Sequence, residues 1–516
     1  MLGLPIVAAQ AVEKLDVTLE YVSKLAEERA RSPFKSPRGQ LPPELSEQNL
    51  NYDRYREIRF NRDQALWRHD KLPFWTEFFH PGYIYQEPVR MHEFTVEGYA
   101  QPIRFVPDFF DYSKLPELRD KIPADTGYAG FKLLHALNKP DVMDELGVFQ
   151  GATYFRLLGK GQRYGLSARG LALNCGEGEE FPLFTDFWLG KPRPDSREIA
   201  LFVILDSKTC AGAYRFIIRP GETTLCDVDG VLFFRPDAVI KASYDSEKLP
   251  WNGIKTVGVA PLTSMFWFGE NTEHKPDDYR GEVHDSDGLL VQLDGGEVVW
   301  RPLNNPPRKD EIRHSVFTAT NPRGFGLLQR DRDHRSYQEI FNYYHQVPSV
   351  LVKPKGDWGE GQVRLVEIGT INEYLDNVVA FWNPKSPPAP MKAFPISYQL
   401  QVMMGTEHEL SPNSAKATRV GASLQNAKVR QFAIDFGGPA LDKLAKTETL
   451  EAVASCSPNA HLSENQCLAH PFENSWRVSL KLEPAADNKE PVGLRCTLKK
   501  GATVLTETWD YQWIPR

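Results

Sequence analysis

Two aspartates, Asp376 and Asp285, stand in sequence surroundings different enough to divide acid and base work between them. Hydrolysis of a glycosidic bond requires one carboxylic acid still protonated at working pH and one carboxylate that activates water. Asp376 precedes the apolar run Asn377-Val378-Val379-Ala380-Phe381-Trp382, which places it at the start of a strand. Partial burial there would raise its pKa and suit it as proton donor. Asp285 lies among His284, Ser286 and Asp287, a polar setting that keeps a carboxylate charged. The plainer reading of Asp285 is a turn aspartate, and composition alone favours it.

Pyranose rings stack their apolar faces on aromatic side chains while their hydroxyls need polar partners. Trp267, Trp300, Trp358, Trp382 and Tyr337 fall in the same stretch as the aspartates, and Arg330, Asp331, Arg332 and Asp333 supply polar groups. Large aromatics are nevertheless core residues more often than ligand platforms. His284-Asp285-Ser286-Asp287-Gly288 and Asp331-Arg332-Asp333-His334 are also clusters a hard cation could use. Neither completes an EF-hand loop or a His-Glu-x-x-His helix, so both read as turns and no metal is expected. Gly159 to Gly165 does not have the Gly-x-Gly-x-x-Gly spacing, and Gly165 to Gly170 is one residue too long for a nucleophile elbow. No nucleotide cofactor and no serine nucleophile are expected. The six cysteines form no Cys-x-x-Cys pair. Cys456 and Cys467 flank a polar loop that an oxidising compartment would let close as a disulfide.

The elements that position these residues are mostly strands. Short runs rich in Val, Ile, Phe, Tyr and Trp recur between Gly, Pro, Asn and Asp, as at 200–205, 214–218, 298–301, 363–368 and 378–382. Helical spacing is confined to Leu15, Leu19, Val22, Leu25 and Ala26, which predict one amphipathic helix between Val12 and Ala30. The fold class expected is therefore all-β, built from antiparallel sandwiches. A chain of 516 residues exceeds a single core, and closely spaced prolines at 384–390 read as a linker. The expected units are a signal remnant and helix (1–30), a large sandwich (31–383) and an immunoglobulin-like sandwich (391–516). Leu2 to Ala11 fits the tail of a signal segment, with Ala9-Gln10-Ala11 as its cleavage site, and a plain apolar start is the alternative. A net charge of −7 with dispersed basic residues argues against nucleic acid. No run approaches the roughly 18 apolar residues of a membrane helix.

Several stretches resemble the periplasmic, osmoregulated glucan biosynthesis proteins G and D. They include Gly151-Ala152-Thr153-Tyr154-Phe155-Arg156, Tyr164 to Ala172, Glu179-Glu180-Phe181-Pro182, Ala260 to Phe266, His284-Asp285-Ser286-Asp287, Arg301 to Pro306 and Gly324 to Gln329. Leu41-Pro42-Pro43-Glu44-Leu45 and Leu375-Asp376-Asn377 are closer to protein D. The resemblance implies a galactose-mutarotase-like sandwich joined to an immunoglobulin-like one, in the periplasm. Because the family includes inverting endo-β-1,2-glucanases, it also implies that Asp376 is the general acid, Asp285 the general base acting through a relay, and β-1,2-glucan the partner. His284, Trp300, Arg332, Asp333, Tyr337 and Trp358 are the expected substrate-binding side chains. An aromatic usually follows the Arg-Asp pair in that family, whereas His334 follows Arg332-Asp333 here, and residues 435–475 diverge. The competing expectation is a glucan-binding assembly protein that shapes polymer without cutting it.

Overall fold

The computed structural model describes residues 14–243, 253–405 and 410–515, so the signal-like segment Leu2 to Ala11 lies outside the described residues. Runs such as Ile-Ala-Leu-Phe-Val-Ile-Leu-Asp form strand Ile199–Asp206, buried on both faces as its β-branched and aliphatic composition demands. Nearly every element is a strand, and the chain is an all-β sandwich fold.

Two large sheets make the first sandwich. The ten-stranded sheet runs from Phe74–Phe79 through Tyr154–Leu157, Ser167–Arg169, Val257–Ser264 and Val378–Pro384 to Glu360–Ile368 and Ile312–Thr320. Its partner is a fifteen-stranded sheet whose inner order includes Gly288–Gln292, Gly324–Leu328, Ser349–Pro354, Phe394–Met403, Thr224–Phe234 and Cys210–Arg219. Phe131, Phe149, Phe187, Phe216 and many aliphatic side chains fill the space between them. The predicted helix forms over Leu19–Ala30, shorter at its start because Thr18 caps it by accepting the Tyr21 N–H. Val22, Ala26 and Ala30 bring it against Ile204, Ala211 and Ala213 on the outer face of the large sheet.

The Pro-rich stretch is not a domain linker, which corrects the boundary at 384–390. Phe394–Met403, just beyond it, lies between Thr224–Phe234 and Ser349–Pro354 within the first sandwich. Prolines keep the backbone extended in a crossover between sheets as they do in a linker. The second sandwich begins later and shares the long sheet. Thr508–Trp513 extends that sheet by pairing with Val298–Pro302, Val492–Lys500 and then Glu451–Cys456 follow it in order, and Ser414–Ala422, Arg430–Gly437, Trp476–Pro484 and Ala460–Ala469 cover them.

The expected Cys456–Cys467 disulfide is absent; both thiols are free. The Cys456 Sγ lies 3.3 Å from the Ala460 carbonyl, and Cys467 stands seven residues further along the same strand. At about 3.3 Å of rise per residue the two sulfurs are roughly 23 Å apart along that strand, beyond the reach of a disulfide. No helix among the described residues is long and apolar enough to cross a membrane.

Candidate active site

Asp285 and Asp376 are far apart in sequence, and one asparagine fastens their segments together. The buried Asn377 side chain accepts the Phe266 N–H at 2.8 Å and donates to the carbonyls of Phe266 at 3.0 Å and Ile368 at 2.8 Å. Phe266 pairs with His284, and the Asp285 N–H donates to the Met265 carbonyl at 2.8 Å. The start of strand Val378–Pro384 is thus tied to the hairpin that carries Asp285, and the charge of Asp376 acts directly on Asp285.

Asp285 is buried rather than exposed to a polar turn, which corrects the expectation that its neighbours keep it charged. Along an extended chain successive side chains point to opposite sides. His284 and Ser286 accordingly turn away from Asp285, Ser286 to hydrogen-bond Ser264 and His284 to face Glu282 and, where the chain bends, Asp287. Burial and then the charge of Asp376 push the Asp285 carboxyl up to about 7, against the pull of Arg156 and His284. Gly165 closes on it: a Cβ there would clash with Val347 Cγ1 and stand 2.9 Å from Asp285 Oδ1. Asp376 leaves 25% of its side chain exposed, facing Arg156 Nη2 at 3.7 Å. Burial raises its pKa, as expected for a proton donor, and Arg156 and Arg169 oppose the rise.

Three loops converge on Glu373, whose carboxylate accepts from Arg280 Nη1 at 2.6 Å and from the Tyr344 hydroxyl at 2.5 Å. Glu339 caps the neighbouring loop by accepting the N–H groups of Phe341, Asn342 and Tyr343. These loops leave Tyr279, Phe341 and Tyr374 73–83% exposed, so broad aromatic faces stand free on the loops that meet at the aspartates. The sequence reading singles out none of Arg156, Gly165, Tyr344 or Glu373. Arg156 and Gly165 do stand in the stretches that carry the family resemblance.

The expected substrate-binding residues are mostly not brought to the surface. Tyr337 is fully buried and donates to the Asp331 carbonyl. Trp300 is buried under the Arg330 guanidinium, 3.4 Å above its ring. Trp358 packs on Trp382 and Tyr398 beyond the end of strand Glu360–Ile368 remote from Asp376, roughly 30 Å of strand away. Arg332 braces the backbone at His345 and Val347 and the Ser349 hydroxyl. Asp333 points to solvent, caps helix His334–Tyr337 and pairs with Arg335.

His284 is also buried, and its role is support. The Gln329 amide donates to the carbonyls of His284 and Tyr344, so its oxygen accepts from His284 Nδ1 at 2.9 Å. Nε2 faces Glu282 at 3.0 Å and Asp287 at 3.5 Å. Burial disfavours the charged ring, but Asp287 and Glu282 outweigh it and raise its pKa to about 9. Burial, together with the charges of Asp287 and Glu282, pushes the Asp331 carboxyl well above the usual carboxylate range. Glu282, His284 and Asp287 bring their donor atoms within 4.8 Å of one another, the one such group among the described residues that could hold a metal ion. With both ring nitrogens facing acceptors, the group is already compensated as an imidazolium held by carboxylates.

The profile of the family described as "Periplasmic glucan biosynthesis protein, MdoG" matches residues 18–513. A Glucans biosynthesis protein G of Ralstonia nicotianae is 42% identical over 98% of this chain and 97% of its own length. Proteins of the same name from Rhodopseudomonas palustris and Dickeya dadantii are 40% and 38% identical, covering 95% and 96% of this chain and 92% of each relative. All three carry the name of protein G, not of protein D, to which Leu41 to Leu45 and Leu375 to Asn377 were expected to be closer. With this coverage along its whole length, the chain belongs to the periplasmic glucan biosynthesis protein family.

Proposed function

We propose that the protein is an inverting endo-hydrolase that cuts the β-1,2-linked backbone of glucan in the periplasm. The observation that carries this reading is the pairing of two carboxyls with raised pKa values, one partly exposed and one buried, in a single electrostatic field. Asp376, the more accessible, donates its proton to the glycosidic oxygen as the bond to the anomeric carbon breaks. Asp285 receives the proton of the attacking water. Enclosed by Gly165 and Val347, Asp285 meets that water through an intervening hydroxyl rather than by direct contact. The charge of Asp376 raises Asp285, so the pair shares one proton near neutral pH, and cleavage requires that proton to sit on Asp376 when the glucan is bound. Arg156 limits the repulsion between them. Tyr279, Phe341 and Tyr374 supply the stacking faces expected of Trp300, Trp358 and Tyr337.

The word biosynthesis in the relatives' names favours a second reading, a protein that binds and shapes glucan without cutting it. Incubation of purified protein with linear β-1,2-glucan separates the two. Shorter chains whose new reducing ends start as the α-anomer support the inverting hydrolase. Binding without any shortening of the polymer replaces it with the assembly role.

A further inference from the structure

On the far side of the first sandwich a cleft of about 870 Å³ opens between helix Leu19–Ala30, the arm that follows it, and strands Arg90–Phe94 and Leu183–Gly190. In the order of the long sheet, Leu183–Gly190 lies seven strands from Gly288–Gln292, the strand that follows Asp285. The cleft shares no lining residue with the two aspartates or with Arg156, Gly165, Tyr344 and Glu373 around them. The arm arches over it without filling it. Pro33 and Pro37 keep it extended, Arg235 Nε holds the Ser32 carbonyl at one end, and Arg38 pairs with Glu87 further along.

The lining selects a chemical class. Arg29 and Arg90 close on Asp186, Arg235 closes on Asp206, and Lys35 is matched by Glu28 and Asp125. Four cationic side chains thus meet four anionic ones, leaving no net field for a phosphate or a metal ion. An apolar ligand would bury ion pairs against hydrocarbon, which is costly. What remains is a neutral ligand rich in hydroxyl groups. His92 stacks on the buried Trp188 with ring centroids 4.9 Å apart and planes 14° from parallel, which fixes the half-buried imidazole as the aromatic face of the cleft. Its Nδ1 faces the Phe187 carbonyl at 3.3 Å, which leaves Nε2 to accept from a hydroxyl. Arg90 uses Nε and Nη2 on Asp186 and, with 65% of its side chain exposed, keeps Nη1 for a ligand oxygen. The volume suits a short oligosaccharide.

We infer that this cleft is a second glucan-binding site, which holds a neutral oligosaccharide stretch away from the point of hydrolysis. The identity of the sugar as β-1,2-glucan rests on the proposed function; the class of ligand does not. The test is calorimetric titration of a linear β-1,2-linked glucohexaose into the Asp376→Asn protein, with and without His92→Ala. Thr126→Trp, which fills the mouth of the cleft without removing any ion pair, serves as an independent second variant. Either change is expected to remove one bound oligosaccharide per chain while near-ultraviolet circular dichroism stays unchanged. Unaltered stoichiometry and affinity in both variants overturn the cleft as a site. Because binding is read in protein that does not turn over, lack of cleavage by the unmodified protein would reject the hydrolase and leave this result standing.

Discussion

The Asp376 carboxyl has one feature no amide can replace, a transferable proton. Asp376→Asn is expected to lower turnover of linear β-1,2-glucan by roughly 10²–10⁴-fold with glucan binding retained, and Asp285→Asn to do the same through loss of the base. Asp333→Asn is expected to keep near-normal turnover, because Asp333 faces solvent as the cap of a short helix. The pH dependence follows from the burial of Asp285, the proposed base. With Asp285 pushed up to about 7, kcat/KM is expected to fall as the pH drops through that value. Stability moves the other way. A carboxyl whose folded pKa lies above its unfolded one stabilises the fold below about pH 4 and loses that contribution as the pH rises through about 7. Asp285→Asn is therefore expected to stabilise the fold at pH 8 by up to about 4 kcal/mol, seen as a higher melting temperature, but not at pH 4, and an equal shift at both would refute the buried-charge account. The two aspartates were legible in the sequence as candidates. Their surroundings were not, because His284 and Ser286 adjoin Asp285 in the chain yet turn away from it in space.

Strands were the most legible elements: alternating or continuous apolar runs placed Ile199–Asp206, Val298–Pro302 and Val378–Pro384 within two residues of their ends. Contacts between elements were not, because a side-chain clamp such as Asn377 carries no periodic signal. Asn377→Ala deletes three buried hydrogen bonds and strands a backbone N–H, at a cost of about 2–4 kcal/mol. Its expected signature is a lower melting temperature together with a drop in kcat, although both aspartates remain. Gly165→Ala acts at the same junction by sterics alone. The added methyl meets Val347 inside van der Waals contact and must displace it or Asp285, so activity is expected to fall with little change in glucan affinity. The cysteine reading failed at this scale too. Closeness in sequence across a turn did not become closeness in space, because Cys467 lies deep in the returning strand.

At the scale of the whole molecule, the Pro-rich stretch at 384–390 shows why composition cannot separate a linker from a crossover. Both are solvated, extended and proline-bearing, and only the pairing of the next strand tells them apart. Because Phe394–Met403 completes the first sandwich and the long sheet continues into the second, the two units share backbone hydrogen bonds as well as side chains. Arg330 pairs with Glu507 at 2.7 Å, with 5% and 0% of the respective side chains exposed, and Arg301 pairs with Asp510 at 3.0 Å. Removing one partner of such a buried pair costs about 3–5 kcal/mol, a large part of the stability of an ordinary domain. A fragment ending at Pro390 would lose the strand between Thr224–Phe234 and Ser349–Pro354 and leave the Arg330 guanidinium without its carboxylate. It is expected to be insoluble or unfolded. Scanning calorimetry of the intact chain is expected to give one cooperative transition whose calorimetric and van't Hoff enthalpies agree. Two resolved transitions, or a folded fragment 14–390 with native-like circular dichroism, would mean that the shared sheet does not couple the sandwiches and that the prolines mark a boundary after all.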